Sequence, residues 1–171
     1  MSADQCKNKC PRIKRSSNHP TIVGKFAENL VCNWLSRSGF EVAIVRHTGI
    51  DLVGYRHGKR LGITVKSRTH TGRKDKHSSV NVLLQGDRKK LSKACGSFGC
   101  EPWIAVYVET PGYGDLYLTS LKHYDDAKYT GRRGKVKDDW KMTPDAQEKY
   151  NDDKDVYHIH FDFKSTSWWQ I

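Results

Sequence analysis

Glu28, Asp51, Thr64 and Lys66 lie well apart in this chain, yet their types would let them act together on an oxyanion. In Gly62-Ile63-Thr64-Val65-Lys66, the two-residue repeat of a strand sends Thr64 and Lys66 to one face and Ile63 and Val65 to the other. Asp51 heads the preceding β-branched run, and a hairpin through Arg56-His57-Gly58-Lys59 lays that run against the Thr64/Lys66 face. A carboxylate, a hydroxyl and an ammonium then converge, and a lysine so placed stabilises negative charge as it develops. Glu28 falls at the edge of an apolar helix stripe beside Leu35, where a carboxylate looks over the rim of a core. Taken singly, each residue has an ordinary explanation: a solvated helix Glu, a turn-capping Asp, an exposed strand Lys. Only their order and convergence point to a shared site.

The elements that must position them follow from periodicity. Phe26, Leu30 and Trp34 form one i, i+4 row and Ala27, Val31 and Leu35 the next, with Gly39 as a C-terminal stop, which predicts a helix. Strands are expected at Glu41 to Val45, Asp51 to Tyr55 and Leu61 to Ser67. A basic loop from His70 to Ser78 leads to a short strand, Val80 to Leu84, and a helix over Arg88 to Phe98. Strands Trp103 to Glu109 and Asp115 to Thr119 flank the turn Pro111-Gly112-Tyr113-Gly114. Three segments are read: a basic flexible arm over 1–20, a core over 21–120, and an extension over 121–171 that packs on the core. The extension holds a Gly131 to Gly134 turn, a short helix after Pro144, an alternating edge strand Val156 to Phe163, and Trp168-Trp169 as a packing anchor.

The series Gly24-Lys25-Phe26-Ala27-Glu28, Gly39-Phe40-Glu41-Val42, Ile50-Asp51-Leu52-Val53 and Ile63-Thr64-Val65-Lys66-Ser67-Arg68 resembles the motif order of archaeal Holliday junction resolvases, a branch of the PD-(D/E)XK nucleases. Arg88-Lys89-Lys90-Leu91, Phe98-Gly99-Cys100 and Pro102-Trp103-Ile104-Ala105-Val106 continue the likeness, which spans roughly residues 22–120. The resemblance implies an α/β, restriction-endonuclease-like mixed sheet with an α-β-β-β-α-β core flanked by helices. It further implies that Glu28 and Asp51 hold Mg²⁺ (or Mn²⁺), that Val65 lends a backbone carbonyl to the metal, that Lys66 contacts the scissile phosphate or attacking water, and that the protein is a homodimer acting on DNA. This chemistry is physically coherent, because phosphodiester hydrolysis needs a hard cation and Mg²⁺ prefers carboxylate ligands. Thr64 departs from the pattern: it stands where the family has an acid, and a neutral hydroxyl leaves the site one negative charge short. Asp87 is the candidate for a relocated carboxylate, with Glu41 and Glu101 less well placed.

Charge distribution agrees with a polyanionic partner. The formal net charge of +11 in 171 residues lies wholly in the first 120, since acids and bases balance from Leu121 onward. Arg56, Lys59, Arg60, Lys66, Arg68, Arg73, Lys74 and Lys76 face the single acid Asp75 between positions 56 and 76, and all but Lys66 are read as phosphate contacts. Charge alone does not separate DNA from RNA or from an acidic protein. Five cysteines without a tight CxxC knuckle, signal peptide or long apolar segment predict reduced thiols, no membrane insertion, and an intracellular, cytoplasmic or nucleoid-associated protein. Three functions compete: a metal-dependent endonuclease, a catalytically impaired nuclease-fold binder of nucleic acid, and a scaffold whose basic face serves another acidic partner.

Overall fold

The computed structural model describes residues 13–70, 82–126, 129–130, 136–137, 140–142 and 144–163. Helix α1 (His19–Arg37) begins seven residues before the expected Phe26 start, because Pro20 falls in its first turn, where a missing N–H costs nothing. Its buried seam is the single row Val23, Ala27, Val31 and Leu35, while Phe26 is half-exposed. The helix ends at Ser38, and Gly39 takes the positive φ that lets the Phe40 amide return to the Leu35 carbonyl at 3.0 Å.

Strands β1 (Glu41–His47), β2 (Ile50–Arg56) and β3 (Lys59–Thr69) form an antiparallel meander. The β2–β3 hairpin turns through His57 and Gly58, both with positive φ, as a two-residue turn matched to strand twist demands. Helix α2 (Gln85–Phe98) then crosses over to β4 (Glu101–Glu109), which runs parallel to β3, and β5 (Tyr113–Ser120) returns antiparallel. The expected α-β-β-β-α-β core is therefore the one the chain adopts. The short elements that follow are α3 (Leu121–Asp126), β6 (Tyr129–Thr130), β7 (Val136–Lys137) and α4 (Pro144–Asn151). Strand β8 (Tyr157–Asp162) then joins the main sheet beside β5, giving the order β1-β2-β3-β4-β5-β8.

Each sheet face is covered by its own apolar cluster. The α1 seam packs on Leu52, Leu61, Ile63, Ala105, Tyr107 and Leu116, whereas Leu91, Ala94 and Cys95 of α2 meet Ile50, Ile104, Val106 and Tyr117 on the other face. That second cluster extends into the C-terminal segment through Trp140, whose ring stacks between Tyr124 at 5.1 Å and Tyr150 at 4.6 Å. Val82 and Leu83 are buried there too, but of the expected Val80 to Leu84 strand the described part, 82–84, forms no strand and leads to Leu84 at the N-cap position of α2. Short apolar runs carry no periodicity that separates a strand from a packed coil. The described cysteines, Cys32, Cys95 and Cys100, are free, and burial pushes the Cys95 thiol up to about 11. Cys6, Cys10, Trp168, Trp169 and the Gly131 to Gly134 turn lie outside the described residues. Among those described, no helix is long and apolar enough to cross a membrane.

Candidate functional site

Asp51 enters β2 after a sharp turn at Gly49, whose φ of +100° and approach to the Lys90 backbone leave no room for a side chain. The β2–β3 ladder begins only at Leu52 opposite Ile63, so beyond that pair β3 offers groups that β2 does not bond through its backbone. The Asp51 side chain fills this role. Its Oδ2 accepts the Val65 amide at 2.6 Å and the Thr64 hydroxyl at 3.1 Å. Charge-assisted bonds of this kind fix a carboxylate in orientation as well as position.

Glu28 reaches the same cleft from α1. The cleft has a volume of about 760 Å³ and is lined by Lys25, Glu28 and Asn29 of α1, by Ile44 to His47 of β1, by Thr48, and by Asp51. Desolvation, followed by the Asp51 charge, raises the Glu28 carboxyl above its ordinary value, while Lys25 and Arg46 oppose the rise. Two oxygen ligands that repel each other across a recess with room for water suit a hard divalent cation, which keeps much of its hydration.

Thr64 and Lys66 do not line this cleft. Thr64 is buried and touches it only through the Asp51 carboxylate. Lys66, two residues on, places its Nζ 3.6 Å from Asp87 Oδ2, both side chains about one-third exposed. Asp87 sits in the first turn of α2, where the helix dipole favours a negative charge. The site thus consists of two acid-containing pairs, Glu28 with Asp51 and Lys66 with Asp87, joined by the Thr64-Val65 segment. Asp87, rather than Glu41 or Glu101, is the carboxylate beside Lys66.

Among solved structures, the chain is similar to Hjc, a Holliday junction resolvase from the archaeal hyperthermophile Archaeoglobus fulgidus. The two are 16% identical, the match covers 74% of this chain and 88% of that one, and the TM-score is 0.49. No protein-family model and no curated protein matches.

The cationic residues divide differently from expectation. Arg56 is at the far end of β2, five residues from Asp51, and at about 3.3 Å per residue this separates them by about 17 Å. Arg56 lies over the Phe40 ring and, with Lys59, lines a separate cleft between α1 and β8. Arg60 donates to the Phe98 carbonyl at 3.2 Å. Arg68 turns inward, donating to the Ser67 carbonyl at 2.7 Å and the Val82 carbonyl at 3.5 Å, and desolvation lowers its pKa. The hairpin cations therefore do not border Asp51, because strand direction carries them to the opposite end of the sheet. Arg73, Lys74 and Lys76 lie outside the described residues. Among the described residues, the cations that border the cleft are Lys25 and Arg46. Lys25 stands three residues before Glu28 on a helix, a spacing that puts the two side chains together and could have been read from the sequence. Next to Arg46, His47 packs edge-on against Phe98 at 5.1 Å.

Proposed function

We propose that the protein is a metal-dependent endonuclease of the PD-(D/E)XK kind that hydrolyses phosphodiesters in DNA, including branched or four-way-junction DNA. The observation that carries the reading is the Asp51 carboxylate, held by the Val65 amide and facing Glu28 across a cleft rimmed by Lys25 and Arg46. Glu28 and Asp51 would hold Mg²⁺ or Mn²⁺, with the Val65 carbonyl as a further ligand. An ion bound there supplies charge neutralisation and an acidified water. Lys25 and Arg46 draw the phosphodiester into the cleft by charge. Lys66 offers its ammonium to the phosphate oxygens, and Asp87 both orients that ammonium and provides the third acid that Thr64 lacks. The same reading includes a homodimer that presents two such sites to symmetry-related strands. Sedimentation at micromolar concentration, with and without DNA, checks this, and a monomer in both conditions defeats it.

The test is cleavage of linear, single-stranded and four-way-junction DNA with Mg²⁺ or Mn²⁺. Metal-dependent nicking that disappears in Asp51→Asn supports the proposal. A second reading, a nuclease-fold module that binds DNA without cutting it, is favoured by Thr64, whose hydroxyl donates to Asp51 where an acid would add charge. Tight junction binding with no product in either ion would establish that reading and dismiss the first.

A further inference from the structure

Strands β5 and β8 bring together a second constellation on the sheet face opposite α1. His158 and His160 lie two residues apart on β8 and so share a face, and the ladder sets His160 opposite Asp115 and His158 opposite Tyr117. Asp115 is 4% exposed. Its Oδ1 receives both His158 Nε2 at 2.8 Å and His160 Nδ1 at 2.7 Å, and its Oδ2 accepts Gln147 Nε2 at 3.3 Å. The two imidazoles are braced from the side: Tyr117 stacks on His158 with centroids 4.6 Å apart and planes 4° from parallel, and Tyr113 lies 5.5 Å from His160.

Hydrogen-bond counting sets this cluster apart from an ordinary polar network. His160 faces a carboxylate at each ring nitrogen, Asp115 at Nδ1 and Asp162 at Nε2, the latter at 3.1 Å. A neutral imidazole has one N–H and can donate to only one of them, so the second nitrogen takes either an extra proton or a metal ion. A metal ion between the three groups removes the conflict. His160 Nε2–H donates to Asp162, and its Nδ1 lone pair turns to the ion together with His158 Nε2 and Asp115 Oδ1. The three ligand atoms already lie within 4.8 Å of one another. Asp162 on His160 and Gln147 on Asp115 are then the outer partners that orient ligands in metal sites.

The geometry points to a binding site for a divalent transition-metal ion of the Zn²⁺ class, formed by Asp115, His158 and His160. Two imidazoles and one carboxylate suit Zn²⁺ and its neighbours better than Mg²⁺, and three protein ligands leave a coordination position for water. His160 is 47% exposed, which leaves the ion a path from solvent. Because Asp115 is on β5 and the histidines on β8, the ion ties the C-terminal strand to the core sheet. This site is separate from the Glu28/Asp51 cleft, which lies on α1, β1 and β2, and it does not depend on the proposed nuclease activity.

The test uses the full chain stripped with chelator and titrated with Co²⁺ and Zn²⁺. Wild type should take up one Co²⁺ with the intense visible bands of low coordination number, bind Zn²⁺ in competition, and gain thermal stability from it. His158→Gln/His160→Gln should lose the bands and the gain, and Asp162→Asn should weaken binding by about 10–100-fold. The Glu28→Gln/Asp51→Asn protein should keep both signals, and so should His123→Gln, which disrupts the separate His123, Asp153 and Asp155 group. Circular dichroism of each metal-free variant confirms folding. Absence of Co²⁺ bands in folded wild type, bands that persist in His158→Gln/His160→Gln, or bands lost in His123→Gln instead would each overturn the assignment.

Discussion

Asp51 and Asp115 are both strand carboxylates of one sheet that accept two or more hydrogen bonds, yet their surroundings differ in kind. Asp51 is gripped on one oxygen by a backbone amide and a hydroxyl, and a second carboxylate, Glu28, stands across an open cleft. Asp115 is almost fully enclosed by two imidazoles and an amide, with both oxygens engaged. Asp51 is half-buried at the edge of a cleft that it shares with Glu28, Lys25 and Arg46. Asp115 is surrounded by its partners, so its contribution is to hold β8 in place. One sheet thus sets the same side chain beside an open cleft on β2 and inside an enclosed cluster on β5.

The largest expected effect is on stability at the second region. Asp115→Ala leaves two histidines and Gln147 without their acceptor, and a buried polar group left unsatisfied costs about 1–3 kcal/mol. Urea unfolding of metal-free protein should show this, whereas Asp51→Ala in the open cleft should cost far less. Equal losses at the two aspartates would erase the distinction. Next in size is activity. Lys66→Ala should reduce junction cleavage by about 10²–10³-fold, the usual scale for losing one group that stabilises developing charge, with the thermal midpoint nearly unchanged. Asp87→Asn should lower cleavage as much as Lys66→Ala, because Asp87 both orients the ammonium and completes the acidic set, and a much smaller loss would reduce it to orienting Lys66.

Salt dependence sharpens the comparison further. Replacing Arg73, Lys74 and Lys76 with Ala should reduce the slope of log affinity against log salt by roughly one unit per lost phosphate contact, measured on duplex DNA. An unchanged slope and affinity in the triple variant would remove that loop from the binding surface. Replacing Arg56 and Lys59 tests whether the duplex reaches the far end of β2, about 17 Å from Asp51 by strand length.

The smallest effect concerns pH. Desolvation and Asp51 raise the Glu28 carboxyl, so its contribution to stability is full below its unfolded pKa and is lost as pH rises through the higher folded one. In chelator, Glu28→Gln should therefore become the more stable protein as pH climbs through and above the ordinary carboxylate range. Divalent ions should shrink the difference, because a cation relieves the charge that the variant removes. A wild-type advantage throughout that range, without metal, would contradict the assignment of Glu28 to the crowded cleft.

What could be read from the sequence was local or carried by a short hairpin. The β2–β3 pairing needs only the His57-Gly58 turn, so the meeting of Asp51 with the Thr64-Val65 segment was legible. So was the position of Asp87 at the head of the helix after β3, which sets it beside Lys66. The placement of Arg56, Lys59 and Arg60 beside Asp51 was misjudged because clustering in sequence is not clustering in space: Arg56 and Lys66 sit on adjacent strands but toward opposite ends. Val82 and Leu83 had the composition of a strand without a partner to pair with. The Asp115 group was missed for a different reason. Its histidines are 43 and 45 residues away, on a strand whose neighbour depends on the whole sheet order, and only the alternation of His158 and His160 hinted at a shared face.

The central claim is that Glu28 and Asp51 form a cation seat weakened by Thr64, and calorimetric titration with Mn²⁺ of wild type, Asp51→Asn and Thr64→Glu tests it most directly. Weak binding in wild type, lost in Asp51→Asn and tightened in Thr64→Glu, is the predicted result, because the glutamate returns an acid beside Asp51. Identical Mn²⁺ affinity in wild type and a folded Asp51→Asn protein would contradict it.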